Sequence, residues 1–344
     1  MSKITISQDG ERFLEDGTPF FWVGDTVWSA FTNAAPAEWE EYLDFRAAQG
    51  FNVLLINTLP QWDRVRPDLG IYPYPMRKDG SLDYTAKPDP VYTDRARLFL
   101  RMAAERGFHP VLVADWADIV PDTWLAKLFP SHVWPVEAIE EHAKRIASLY
   151  GEFFPFFMVS GDTDAGSERT EEYYLRTAEI LRQEAPDSLL TMHLCGGSSA
   201  LTPSLAASLD FYVYQSGHNE GSESILESLP AVFRSRFPKK PLLNAEPCYE
   251  EMPHIPSDGK PSSGVYHADD VLDACRRSIL AGASAGITYG ANGLWSWKRP
   301  EGRAEGLAAD LYGDTPVWRD AMRLPGAARI ASLRELVYPP RTGV

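Results

Sequence analysis

The chain has 344 residues, 44% of them hydrophobic, enough to bury a large core in one or two domains. Its 48 acidic and 33 basic residues leave a formal charge of −15, which argues against nucleic acid or an anionic membrane face as a partner. The opening "MSKITISQDGERF" has no apolar signal core and no apolar run reaches the roughly 18 residues of a membrane span, so a cytoplasmic protein is expected.

The first element is a β-hairpin: "ITIS", a turn at Asp9-Gly10, then "RFLE", with a second turn at Asp16-Gly17. After it, short apolar strands alternate with longer amphipathic stretches. The strands are "PFFWVGD" ending near Asp25, "GFNVLLIN" ending at Asn57, "FHPVLVAD" ending at Asp115 and "FFMVSGD" ending at Asp162. They continue with "LLTMHLCG" around His193, "FYVYQSG" around Gln215, "PLLNAE" ending at Glu246 and "AGITYGANG" ending near Asn292.

Between them lie helical stretches. "PAEWEEYLDFRAAQG" starts on Pro36 and stops at Gly50, and "TDRARLFLRMAAERG" offers Thr93 as a cap and Gly107 as a stop. The last, "TPVWRDAMRLPGAARIASLRELV", reads as one helix. Strands that are apolar throughout, rather than alternating, are buried on both faces, as in a parallel sheet covered by helices. Eight strand–helix units predict a single (β/α)₈ TIM barrel over residues 1–344, with the N-terminal hairpin (1–18) closing the barrel floor. An open doubly wound sheet is the runner-up, weakened because no glycine-rich phosphate loop follows the first strand.

Two connections are long, residues 58–92 and 247–266, and both leave C-terminal strand ends, the face on which such barrels carry their active sites. The polar residues at those ends converge in a barrel. Asp162 closes the fourth strand and Glu246 the seventh, placing two carboxyl groups across the mouth, the minimal apparatus for breaking a glycosidic bond. Asp164 competes with Asp162 for the acid role. Asp25, Asn57, Asp115, His193, Gln215 and Asn292 are candidates for holding hydroxyls. Trp62 and Trp116 are candidate stacking platforms, and Trp28 and Trp295 fall beside the same loops. Pro247 stops the seventh strand so that Glu246 stays at the mouth, and Glu250 and Glu251 are expected out in the loop. No His, Asp and Glu set has convincing metal spacing, and Cys195, Cys248 and Cys275 read as reduced thiols, so no cofactor is expected.

Four stretches, "DGTPFFWVGDTVWSAF", "YLDFRAAQGFNVLLIN", "FFMVSGDTD" and "KKPLLNAEPCYE", together resemble the apiosidase-like catalytic domain of glycoside hydrolases, over about residues 5 to 300. The resemblance implies a TIM barrel with Asp162 as acid/base, Glu246 as nucleophile and Asp25 in the sugar-binding floor. The motif before the acid is Ser160-Gly161-Asp162 where the family leads one to expect Gly-Gly-Asp. The expected activity is hydrolysis of a small plant- or microbe-derived glycoside or oligosaccharide; a homo-oligomer is compatible with it. Two other readings stay open: a metal-dependent barrel lyase or isomerase acting on a sugar acid, and a carbohydrate-binding barrel without activity.

Overall fold

The computed structural model describes residues 2–62, 68–221, 223–256, 264–303 and 315–339. Parts of both long loops, residues 63–67 and 257–263, lie outside the described residues.

Three short strands open the chain: β1 (Ile4–Ile6), β2 (Phe13–Glu15) and β3 (Thr18–Phe20). They form an antiparallel sheet in that order, so the expected hairpin gains a third strand after the Asp16-Gly17 turn. Eight further strands make one sheet in the order β8-β7-β6-β5-β4-β11-β10-β9. They are β4 (Trp22–Thr26), β5 (Val53–Asn57), β6 (His109–Trp116), β7 (Phe156–Gly161), β8 (Leu190–Thr191), β9 (Tyr212–Gln215), β10 (Leu242–Glu246) and β11 (Gly286–Tyr289). Every ladder between them is parallel.

The ends of this sheet, β8 and β9, meet through single bonds rather than a ladder. Asp210 N–H donates to Leu190 O at 2.8 Å, Thr191 Oγ1 to Phe211 O at 3.0 Å and Gly197 N–H to Gln215 O at 2.9 Å. The sheet therefore curls into a nearly closed barrel with helices around it. Its fifth strand is two residues long, because Pro186 to Ser188 delay it and His193 then leaves the ladder.

The helices between strands are α1 (Ala30–Asn33), α2 (Pro36–Ala48), α3 (Pro90–Ala104), α4 (Trp124–Leu128), α5 (Val136–Tyr150), α6 (Glu168–Glu184), α7 (Pro203–Ser208), α8 (Ile225–Arg236) and α9 (Ala268–Leu280). α2 opens on Pro36, its Glu38 accepts the Ala35 N–H at 2.9 Å, and Gly50 leaves it at φ 85°. α3 is capped by Asp89, whose side chain accepts from Val91 N–H at 2.8 Å, four residues before the expected Thr93. The predicted final helix breaks at Pro325-Gly326 into α10 (Trp318–Ala321) and α11 (Ala327–Ile330). No described helix is long and apolar enough to cross a membrane.

The barrel has two apolar layers. Val53, Leu55, Val111, Val113, Met158, Val213, Leu243 and Ala245 fill the interior. Phe13 enters from below, edge-on to Phe156 at 5.6 Å and Phe211 at 5.1 Å, so the N-terminal sheet covers the floor. Leu54, Ile56, Leu112, Phe157 and Leu242, one step along the same strands, pack outward on the helices. The opposite end of the barrel stays open to its loops.

Candidate active site

Glu246 is the last residue of β10, and its direction is set by an irregularity in that strand. Leu243 and Ala245 face the barrel interior. Asn244 faces the helices, donating to Ser278 Oγ of α9 at 3.1 Å. Strict alternation would send Glu246 outward as well. The pairing of β10 with β9 shifts register between Asn244 and Glu246, a bulge that re-aims the carboxylate into the mouth. Asn244 Oδ1 accepts the Glu246 N–H at 3.3 Å and the Ser216 N–H at 3.4 Å, bracing the bulge.

There the carboxylate is 8% exposed and surrounded by donors. Gln215 Nε2 donates to Oε1 at 2.8 Å, His218 Nε2 stands 3.1 Å from Oε1, and His193 Nε2 stands 3.6 Å from Oε2. The Tyr249 hydroxyl also hydrogen-bonds it, and that oxygen in turn accepts from Trp28 Nε1 at 3.2 Å. Burial alone would raise the Glu246 carboxyl, but His218, His193 and Tyr249 outweigh it and hold it below the usual glutamate value. The group is ionised yet nearly dry. Gly290 makes room for this arrangement, since a Cβ there would lie 2.1 Å from the Tyr249 ring.

Asp162 follows β7 in a left-handed conformation, φ 52°. Its N–H donates to His193 Nδ1 at 3.2 Å, and its carbonyl accepts from Trp124 Nε1 at 2.8 Å. Gly161 before it must be glycine here, because an added Cβ would sit 2.2 Å from the Trp116 ring. Ser160, where the family pattern expects glycine, donates its hydroxyl to His193 O at 3.0 Å and so belongs to the strand join.

Asp162 and Glu246 line one cleft of about 220 Å³ together with Trp28, Trp62, Trp116, Gln215 and Trp295. Trp28 meets Trp116 edge-on at 5.2 Å, and Trp62 meets Trp124 at 6.1 Å. Among the described residues, two buried polar atoms of this wall, Trp116 Nε1 and Gln215 Oε1, have no hydrogen-bond partner.

Six expected site residues stand elsewhere. Asp25 shares the outward parity of Val23 and pairs with Arg46 of α2 at 2.5 Å and Tyr42 at 2.7 Å, with no exposure at all. It is an anchor between barrel and helix, not a floor for sugar. Asp164 accepts the Trp124 N–H at 3.1 Å, which ties it to the start of α4. Asn57 donates to Gln61 Oε1 at 2.7 Å and so orients a cleft residue without lining the cleft. Asn292 donates to Glu251 O at 2.9 Å, bracing the loop after β10. His193 touches both carboxyl-bearing residues from behind the wall.

Asp115 faces α6, where Thr177 Oγ1 donates to it at 2.5 Å. Burial raises its carboxyl to about 7, with the Thr177 bond pulling the other way. The folded state then holds this proton more tightly than the unfolded chain. Stability is full at acid pH and is lost as the pH rises from 3.8 through about 7. Asp115→Asn removes the group that titrates, so its stability relative to the parent should grow by a few kcal/mol, to order of magnitude, between pH 5 and pH 8. Urea titrations at both pH values measure this, and parallel behaviour of the two proteins would count against it.

Sequence reasoning missed Gln61, Trp124, Cys195, Asn219, Tyr249, Met252 and Ile255, which also line the cleft. His218 is a cleft residue too. Glu250, expected out in the loop, is buried, accepting from Tyr289 Oη at 2.6 Å and from Gly326 N–H at 3.0 Å. That last bond anchors Gly326 at the break in the final helix. The Glu-Pro-x-Tyr-Glu spacing was the one available signal, since Tyr249 and Glu250 are its final two residues. All three cysteines are free, and among the described residues no group of three or more His, Cys, Asp or Glu is placed to hold a metal ion.

A family profile described as "Apiosidase-like, catalytic domain" matches residues 8–340. Comparison with curated proteins gave no match. Among solved structures, one titled glycoside hydrolase aligns over 98% of this chain and 75% of its own, at TM-score 0.78 and 23% identity. A glycoside hydrolase family 5 protein from Bacteroides vulgatus covers 97% and 71%, at TM-score 0.76 and 23% identity. A family 5 mannosidase from Rhizomucor miehei covers 98% of both chains, at TM-score 0.66 and 12% identity. These similarities establish the barrel fold.

Proposed function

The chain belongs to the apiosidase-like family of glycoside hydrolases, and from that premise we propose that it cleaves a neutral glycoside with Glu246 as nucleophile and Asp162 as general acid/base. One observation carries the assignment: the Glu246 carboxylate lies in the cleft wall, held ionised by N–H donors while shielded from water. A nucleophile needs that combination of charge and poor hydration.

In the first step Asp162 gives its proton to the glycosidic oxygen as the bond to C1 breaks, and a Glu246 oxygen bonds to C1. In the second, Asp162 takes a proton from water, the water oxygen bonds to C1, and the ester to Glu246 breaks. The proton and both carboxyl groups return to their starting states. Trp124 and His193 pin the Asp162 backbone through both steps.

The cleft suits a small substrate. Its volume matches one sugar ring with part of the leaving group, and the described lining residues include no lysine or arginine to offset a sugar carboxylate or phosphate. Trp62 and Trp116 line the cleft with aromatic rings suited to stack on a sugar face. We read residues 1–344 as one domain, and the free thiols suit a reducing cytoplasm.

The test is a panel of neutral nitrophenyl glycosides, pentofuranosides included, with NMR following the first anomer released. Turnover of a member with retained configuration is expected. Inversion would remove Glu246 from the nucleophile role, and activity lost to a chelator and restored by a divalent ion would favour the metal-dependent reading.

A further inference from the structure

Two contacts described above converge on one ring. His193 follows β8, is fully buried, and stands between the two residues that bear the carboxyl groups. Its Nδ1 accepts the Asp162 N–H at 3.2 Å, and its Nε2 lies 3.6 Å from Glu246 Oε2 with no closer partner among the described residues. A ring nitrogen that accepts an N–H cannot carry a proton of its own, so the neutral ring holds its proton on Nε2, directed at Glu246. We propose that His193 is the positioning residue that couples the two halves of the site, its neutral Nε2–H form fixing the Asp162 peptide and steadying the Glu246 charge together. This rests on the acid and nucleophile roles proposed above.

Asp162 needs such a hold. At φ 52° it occupies a region that residues other than glycine enter at a cost, and the surrounding contacts must maintain it. The ring is firmly placed to do so. His193 N–H donates to Ser160 O at 3.2 Å, Thr163 N–H donates to His193 O at 3.3 Å, and Trp28 meets the ring edge-on at 5.9 Å.

Only the uncharged ring can do both jobs. A second proton, on Nδ1, would set donor against donor at Asp162 N–H and release that residue. The titratable groups around the ring are Asp162 at the end of β7 and Glu246 of β10, with His218 and Tyr249 bonding the same Glu246 carboxylate; Trp28, from the loop after β4, brings no charge. Burial pushes the His193 pKa down, with Glu246 pulling the other way, so the ring stays neutral where an ordinary histidine charges.

The tautomer is read directly by NMR of protein labelled with ¹⁵N-histidine, with His193→Phe to assign the signal. The expected spectrum shows a protonated Nε2 and bare Nδ1 that persist below the pH at which ordinary histidines titrate. A proton on Nδ1, or titration at the ordinary histidine value, would overturn the proposal.

Two variants separate the halves of its action, assayed on nitrophenyl and dinitrophenyl glycosides of the sugar turned over best in the panel. His193→Gln keeps an N–H near Glu246 but loses the acceptor for Asp162. It should cost about 10²-fold on the poorer leaving group, the scale of a small misplacement, and much less on the better one. His193→Asn keeps that acceptor and loses the Nε2–H, so the acidic limb of its kcat/KM profile should move to higher pH. Equal losses on both substrates with unmoved pH profiles would reduce His193 to a packing residue. If Asp162→Ala itself shows no leaving-group dependence, the acid assignment fails instead, and the NMR result still judges the hold on Asp162.

Discussion

Glu246→Gln is expected to lower kcat by about 10⁴-fold or more, the scale on which removal of an enzyme's nucleophile acts, while the fold and its melting temperature change little. The substitution is isosteric. The amide oxygen can still accept from Gln215 Nε2 and His218 Nε2, and only the long 3.6 Å approach of His193 Nε2 to the other oxygen loses its acceptor, so the strand, the bulge and the cleft wall stay in place. What disappears is the negative charge and with it the ability to bond to C1. Steady-state rates on the best glycoside of the panel, beside a thermal melt, measure both halves of the expectation. Glu246→Gly with added azide sharpens it: a small anion in the space left by the side chain should restore turnover and yield a glycosyl azide of inverted configuration. Near-parent activity in Glu246→Gln would end the nucleophile assignment, whatever the melting temperature.

Asp162→Ala tests the other carboxyl group, with an expected loss of about 10²- to 10⁴-fold on substrates whose leaving group needs a proton. On a dinitrophenyl glycoside, whose leaving oxygen departs without one, the first step should be nearly spared. Because Asp162 is also the proposed base for water in the second step, the glycosyl enzyme should then accumulate and show as a burst of dinitrophenol. The variant must be checked for backbone effects, since Ala at φ 52° is strained. Asp162→Asn tolerates that conformation better and should give the same leaving-group pattern. A uniform loss across leaving groups in both variants would mean that Asp162 binds or shapes the cleft without moving a proton. Asp164 could then be tested, although its carboxylate is already committed to the Trp124 N–H.

The strand ends were legible as a ring because eight short apolar runs, each ending in a polar residue, have few other ways to pack. Which way each polar residue points was not legible. Asp25 and Glu246 both sit at or beside a strand end, yet one faces Arg46 behind the sheet and the other faces the cleft. Along an ideal strand the face follows from parity, and Asp25 obeys it. Glu246 escapes its parity through a register shift against β9, and a shift of that kind depends on the partner strand. The tryptophans divide similarly: Trp28, Trp62, Trp116 and Trp295 reach the cleft, whereas Trp297 is buried against Trp318 at 4.9 Å. Position along the chain does not separate Trp297 from its near neighbour Trp295.

By itself, the sequence determined the barrel, its strand order along the chain and the family, and it supplied the pair of residues on which the proposed chemistry rests. Those features rest on local patterns, apolar runs, turn residues and a short motif, each read within a dozen positions. The tertiary structure alone decided that Glu246 is surrounded by Gln215, His193, His218 and Tyr249, contacts that join residues 31, 53, 28 and 3 positions away from it. It also decided that Asp115 and Asp25 serve the helix layer and that His193 stands behind both carboxyl-bearing residues. Charge state and direction come from such non-local neighbours, because desolvation and hydrogen bonding are set by what the folded chain brings within a few ångströms.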